Sequence, residues 1–450
     1  MKKLVLISYS FPPLNSSSAF RFGQLVKYFY SYGWETYVIT TNSIGDLEVG
    51  IPESNIYRYG AHISGIVKSQ ESRAKSTSVA KKKGQELIQR VKKTYKLASI
   101  DGNTIISRNN CSEWKKEVVS GFSKLEEQMG KPDIILSTCA PATSVDIGNY
   151  LRKRFKVPFL IDFRDLHALA RGERPNFVYL LDKFIERHKV KKASGFITVS
   201  KTLKRILSEA YGKPTITIFN GWDSEASEGS EQIVHYQKAS DFPDLRNPYF
   251  HYAGVLYEHR IEAIHRFLKA LCNYEAEKYC FVFRSLGPEK LNSIVISMVK
   301  TLRLDKRVFI LKPAKYRTVL REQKEAISNI VFEDISENQE YTKGSLTGKF
   351  LQLLPGELPP ILFIARSDSE AKSILKKTNK GSLCTTEEEI VRFIQQIRST
   401  KYLNPNYSEI NYYSKKNQAK LLCSFFDYIL SVFSHANVTT NGQKLTTPSE

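Results

Sequence analysis

Short apolar runs, each followed by a stretch with apolar residues at helical spacing, recur along most of this chain, and that alternation restricts the fold more than any other feature. The first run, residues 4–8, ends in the turn at Pro12-Pro13. Ser16, Ser17 and Ser18 then precede a segment with Phe22, Leu25, Val26 and Phe29 on one helical face, closed by Gly33. Residues 37–40 form the next run. Strand, helix and strand in this order make a βαβ unit, which requires a parallel sheet. The pattern continues with strands at 133–136, 157–161, 196–199 and 216–219 and helices at 142–154 and 201–210. Up to residue 223 the chain reads as a doubly wound α/β domain.

Asn220-Gly221-Trp222-Asp223 is a turn signal, and the polar residues 224–247 read as a linker. A second alternation follows. Strands are expected at 250–253 (closed by Gly254), 279–283, 308–311, 330–332 and 361–364, with a helix at 261–271. The expected organisation is therefore a Rossmann-like domain at 1–223, a linker at 224–247, a second Rossmann-like domain at 248–410 and a C-terminal helix at 411–435. That helix carries the apolar stripe Leu421, Leu422, Phe425, Phe426, Ile429, Leu430 and Phe433, long enough to cross back onto the first domain, and the polar residues 436–450 are expected to be disordered. Open α/β sheets take ligands at the carboxyl ends of their strands, which points to a site in a cleft between two such domains.

The 450 residues carry a formal charge of +21. Anionic substrates, an anionic membrane surface and nucleic acid are the partner classes such a charge suggests. Its distribution is uneven: within an excursion at 61–110, residues 68–96 hold ten Lys or Arg against Glu71 and Glu86, with Leu87, Ile88, Val91 and Tyr95 at helical spacing. This reads as a basic amphipathic helix docking on anionic lipid, or as a solvated charged segment. Nucleic acid is not expected as a partner, because the charge concentrates in one excursion and no RNA- or DNA-binding module is present. Six scattered cysteines without a CxxC pair point to a reducing compartment and to no metal site. No apolar run approaches the roughly 18 residues of a membrane span, and the apolar start is too short for a signal peptide. A cytoplasmic protein, peripheral at the inner face of the membrane, is the expectation.

Residues 344–352 are the strongest candidate for binding chemistry. A turn containing Ser345, Leu346, Thr347 and Gly348 would open a helix with free backbone N–H groups, and Lys349 adds a cation. Phosphate would sit there; an ordinary capped helix start is the alternative. In the first domain Asp162, Arg164, Asp165 and His167 follow the strand at 157–161 directly. They are candidate catalytic groups that hold or orient an acceptor hydroxyl, or a structural ion-pair network that shapes a loop.

Ser8-Tyr9-Ser10-Phe11-Pro12-Pro13, Asp162-Phe163-Arg164-Asp165, Val199-Ser200, Asn220-Gly221-Trp222-Asp223, Tyr252-Ala253-Gly254 and Leu346-Thr347-Gly348-Lys349-Phe350 occur in an order and spacing that resembles glycosyltransferase family 4, most of all its bacterial surface-polysaccharide members. The resemblance covers residues 1–435. It implies a GT-B fold, a nucleotide-sugar donor bound mainly by the second domain, a glycan or lipid-linked acceptor bound by the first, retention of configuration, and neither cofactor nor metal. Arg260, six residues past Gly254, stands like the family's donor-phosphate cation, with a surface arginine as the other reading. Ser17 and Ser18 stand where relatives often have glycines near the donor phosphate, with Arg21 close by; helix capping is the alternative for the serines. Two departures matter. Val255 replaces a basic residue, and the family's glutamate pair, whose second member holds the donor ribose, becomes Gly344 and Gln352, where Gln352 is expected still to hydrogen-bond the ribose hydroxyls, but more weakly as a neutral group. An inactive or weakly active homologue that only binds partners is the competing function.

Overall fold

The computed structural model describes residues 1–64, 111–166, 168–171, 177–223, 238–273, 276–336, 344, 346–397 and 404–442. It divides into two compact units, Met1–Ile218 together with Gln418–Glu450, and Phe219–Asn417.

The first unit runs β1 (Lys2–Ile7), α1 (Ser17–Phe29), β2 (Trp34–Ile44), β3 (Ile56–Ser64), α2 (Ser112–Ser120), α3 (Phe122–Met129), β4 (Ile134–Cys139), α4 (Thr143–Phe155), β5 (Phe159–Phe163), α5 (Phe177–Val190), β6 (Gly195–Thr198), α6 (Lys201–Tyr211) and β7 (Thr215–Thr217). The strands form one sheet in the order β3-β2-β1-β4-β5-β6-β7, with every neighbouring pair parallel. Strand residues alternate between its two faces. Leu4 and Leu6 enter a core with Phe22, Leu25 and Phe29 of α1, whereas Val5 and Ile7 enter a second core with Val145 and Leu151 of α4. A strand buried on both sides must be apolar throughout, which is why β1 and β4 were legible as continuous runs. Ser16 caps α1 by accepting from the Ala19 N–H at 3.2 Å, and Gly33 takes the left-handed conformation (φ 84°) that ends the segment before β2.

Residues 61–64, assigned from the sequence to the basic excursion, continue β3; the rest of that excursion lies outside the described residues. Three helices of this unit, α2, α3 and α5, escaped the sequence reading. In α2 and α3 the buried positions Trp114, Val118, Phe122, Leu125 and Met129 keep helical spacing but are diluted by lysines and glutamates.

The second unit runs β8 (Tyr249–Val255), α7 (Ile261–Leu271), β9 (Cys280–Leu286), α8 (Glu289–Thr301), β10 (Val308–Leu311), α9 (Tyr316–Glu325), β11 (Ser328–Phe332), α10 (Gly348–Gln352), β12 (Ile361–Ile364), α11 (Ala371–Thr378), β13 (Gly381–Cys384), α12 (Glu387–Gln396) and α13 (Tyr407–Tyr412). Its six parallel strands are ordered β10-β9-β8-β11-β12-β13. The same alternation holds, with Ile330 and Phe332 in one core and Val331 in the other. Gly254 does not close β8 but lies inside it, paired with Ser285 of β9. Residues 238–247 are not a free linker either: Asp241 pairs with Arg284 at 2.9 Å and Phe242 packs edge-on against Tyr249. Residues 224–237 are outside the described set.

The last helix, α14 (Lys415–Gly442), contributes its residues from Gln418 onward to the first unit. There Phe426 meets Phe29 and Trp34 edge-on at 5.9 and 5.1 Å between ring centroids, and Leu422 and Ile429 join the same core. The helix continues past 435, so 436–442 are helical rather than disordered. Asn441-Gly442 is the first sequence signal that can stop it.

Candidate functional site

In the second unit, β8 and β11 deliver side chains to the carboxyl edge of the sheet, where ligands of open α/β sheets bind. After β8 a turn of 3-10 helix, Glu258–Arg260, leads into α7 and places Arg260 at its N-cap. The guanidinium is buried. Its Nη1 donates to the Val255 carbonyl at 3.0 Å and its Nη2 to Glu333 Oε1 at 2.8 Å, while its Nε has no hydrogen-bond partner among the described residues. Glu333 directly follows β11, and its amide donates to the Ile364 carbonyl at 2.9 Å. The next residue, Asp334, is tied down locally by the amide and hydroxyl of Ser336, at 2.9 and 2.6 Å.

Lys349, second residue of α10, completes the cluster. Its Nζ lies 5.9 Å from the centre of the Tyr252 ring and so close to Gly254 that a Cβ there would come within 1.8 Å of it. Only glycine leaves this ammonium its place beside β8. Tyr252 is itself fixed, stacked 4.9 Å from Phe283 with its hydroxyl donating to the Val255 carbonyl. Burial and the neighbouring Arg260 charge push Lys349 down to about 8, against the pull of Glu333. Burial likewise raises the Glu333 carboxyl, against Arg260 and Lys349. Two cations therefore lie near one carboxylate, which is ion-paired with Arg260. Among the described residues Lys349 has no ion-pair or hydrogen-bond partner, so the cluster carries a cation that could meet an anion.

α10 is only five residues long, ending before Pro355, and its N-cap Thr347 makes no side-chain capping bond. The helix end expected to seat a phosphate is thus one turn, with little dipole of its own. Leu346 is a core residue, Gln352 is half-buried, Gly348 lies beside Asn220, and Ser345 is outside the described residues. Of the residues in that expectation, Lys349 is the one the structure brings into the charged cluster with Arg260 and Glu333.

The first unit uses its charged residues differently. Asp162, the fourth residue of β5, is fully buried and accepts from Arg21 Nη2 at 2.7 Å and Arg21 Nε at 3.1 Å, while Arg21 Nη1 donates to the Ile218 carbonyl at 2.9 Å. This bidentate pair braces α1 against β5 and the end of the sheet. Both side chains are buried and engaged in this pair, which favours the structural ion-pair alternative for Asp162 and a bracing role for Arg21 over the catalytic and donor-binding expectations. Ser18 bonds the capping Ser16 at 3.0 Å, and Ser17 is exposed at the start of α1. Arg164 is half-buried with its Nε unpartnered among the described residues, Asp165 is exposed, and His167 lies outside the described residues.

No protein-family model matches the sequence, and no curated protein matches it. Solved structures do match its fold. A sucrose-phosphate synthase from Thermosynechococcus elongatus is similar over 99% of this chain and 100% of its own, at a TM-score of 0.56 and 12% identity. A glycosyltransferase from Rickettsia africae ESF-5 is similar over 95% and 98%, at 0.56 and 12%. The lipopolysaccharide outer core galactosyltransferase WaaB is similar over 95% and 99%, at 0.53 and 11%. The chain has the GT-B fold.

Within this GT-B chain Glu333 is the member of the candidate cluster that motif reading missed. The resemblance puts the family's glutamate positions at Gly344 and Gln352, whereas the carboxylate that meets Arg260 follows β11 immediately. The signal was available: a strand was expected at 330–332, and a carboxylate just past the carboxyl end of a strand points to the ligand edge. The buried set His251, Arg284 and Glu322 was also missed. Arg284 Nη2 donates to Glu322 Oε1 at 2.7 Å, and His251 Nε2 lies 3.3 Å from Glu322 Oε2. These three tie β8 and β9 to α9 and stand as internal structure of the GT-B second unit.

Proposed function

We propose that the protein is a glycosyltransferase that moves a sugar from a nucleoside-diphosphate sugar to a glycan acceptor. The observation that carries this is the buried Arg260 and Lys349 pair at the carboxyl edge of β8, with Glu333 ion-paired to Arg260. Departure of a nucleoside diphosphate leaves negative charge on the pyrophosphate and positive charge on the sugar. Preorganised cations at the first and a carboxylate near the second answer that need without a covalent nucleophile or a metal. The GT-B fold shared with a lipopolysaccharide galactosyltransferase supports the same reading. The test is turnover: incubate the full chain with a panel of nucleotide sugars in the presence of chelator, and follow nucleoside diphosphate release. Release that disappears in Lys349→Ala supports the reading. Absence of hydrolysis and transfer with every donor would favour the binding-only homologue, which the neutral Gln352 and Gly344 also suit.

The finer reading follows the resemblance to surface-polysaccharide enzymes. The acceptor is a lipid-linked glycan held by the first unit, transfer retains configuration, and the enzyme works at the cytoplasmic face of a membrane, with residues 68–96 as one contact. No described helix is long and apolar enough to cross a membrane.

A further inference from the structure

Helix α5 is inside out in its charges. Both of its carboxylates are buried: Asp182 is 0% and Glu186 2% exposed, and Glu186 accepts from the Tyr211 hydroxyl and, at 3.0 Å, from the Ala168 amide. Outward it presents Leu180, 55% exposed, and Phe184, 70% exposed, with Arg187 continuing the same stripe at i, i+4 and i+7. Lys183 lies beside them, and Lys191 and Lys192 are exposed just past the helix end. Every exposed charge along this run is therefore a cation. A phenylalanine and a leucine one helical turn apart, both exposed and flanked by lysine and arginine, form a small basic amphipathic face.

We propose that this face of α5 docks on an anionic bilayer surface, with Phe184 and Leu180 entering the headgroup boundary and Lys183, Arg187, Lys191 and Lys192 meeting lipid phosphates. Two observations choose the bilayer over a protein partner. The four cations are complementary to an anionic lipid leaflet, which attracts basic groups wherever they lie. Two apolar side chains on one helix fall far short of the roughly 800 Å² per partner that a stable protein interface needs, whereas a bilayer requires only a shallow amphipathic contact. The surface rests on the membrane-bound acceptor of the proposed function for its purpose, and not for its geometry.

The experiment is co-sedimentation of the full chain with vesicles of phosphatidylcholine mixed with phosphatidylglycerol, against phosphatidylcholine alone, across a salt series. Four proteins are compared: wild type, a Leu180→Ser/Phe184→Ser variant, a variant with Lys183, Arg187, Lys191 and Lys192 changed to Gln, and one with Lys81, Lys82, Lys83, Lys92 and Lys93 neutralised. Wild type is expected to bind the anionic vesicles, less as salt rises, and each α5 variant to weaken that binding at least about tenfold at unchanged thermal stability. A Phe184→Trp variant should show a blue shift on binding. Full binding by both α5 variants, loss only in the variant of the 81–93 lysines, or no binding by wild type overturns the proposal. Formation of dimers by wild type but not by the serine variant, without vesicle binding, would assign the face to a second copy instead. Donor turnover in the absence of vesicles is unaffected by any of these outcomes, so failure here is distinguishable from failure of the transferase reading.

Discussion

Asp162 sits where its sequence neighbourhood puts it, at the end of β5, yet its carboxylate faces Arg21 rather than a ligand. Spacing along a strand tells which residues reach the sheet edge; it does not tell which partner from α1, 141 residues away, will be there. Removing one member of a buried, hydrogen-bonded pair leaves the other charge uncompensated and costs about 3–5 kcal/mol. Asp162→Ala should therefore lower unfolding free energy by that amount in denaturant titration; a catalytic role would instead give an inactive protein of undiminished stability. Lys349 carries the second prediction at this scale. With its ammonium held down to about 8, the cation is present at neutral pH and is lost above that value. Affinity for a nucleoside diphosphate should fall as pH rises from about 8, and the fall should vanish in Lys349→Arg, which stays charged. A flat profile in the wild type between neutral pH and the upper titration range would remove Lys349 from the site.

At the scale of elements, strands buried on both faces were legible because a parallel sheet demands continuous apolar runs, as at β1, β4 and β12. Elements with a wet face were not. β3 interrupts its apolar residues with Arg58 and Gly60, and α9 carries charge at half of its positions. α9 is held partly by polar contacts that no hydrophobic pattern reveals: Glu322 lies under Arg284 and His251, all three buried. Burial pushes His251 down, against the pull of Glu322, so the folded state keeps the imidazole neutral. Burial would raise Glu322, but hydrogen bonds from His251 and Arg284 outweigh it and hold the carboxyl low. The signs agree. Below pH about 6.5 the unfolded chain takes up a proton at His251 that the folded chain refuses, so stability falls toward lower pH, by at most about 1.4 kcal/mol per pH unit. The Glu322 contribution is lost only at lower pH, below its ordinary carboxylate range. His251→Gln should remove the first of these phases, seen as a flatter midpoint against pH between about 6.5 and 5; an unchanged profile would place the acid sensitivity elsewhere.

Over the whole molecule, two alternations of strand and helix were enough to foresee two Rossmann-like halves and a last helix that rejoins the first. The reason is physical: Phe426 and its neighbours on α14 form a stripe too apolar to leave in water. Phe426→Ala should cost about 3–5 kcal/mol of first-unit stability by opening a cavity against Phe29 and Trp34. A loss under about 1 kcal/mol, in denaturant unfolding, would mean the helix contributes little there. The candidate charge cluster was legible in part, through Gly254, Arg260 and Lys349, but its carboxylate was not, because Glu333 belongs to no motif and reaches Arg260 only in three dimensions. The most direct test of the account is a calorimetric titration of UDP, GDP and ADP, with chelator present, into the wild type, Arg260→Ala and Lys349→Ala proteins. The account predicts that at least one of the three binds the wild type and that each substitution weakens it about tenfold or more, as expected for loss of a charge-assisted contact. Binding that survives both substitutions unchanged, or no binding by the wild type, would contradict it.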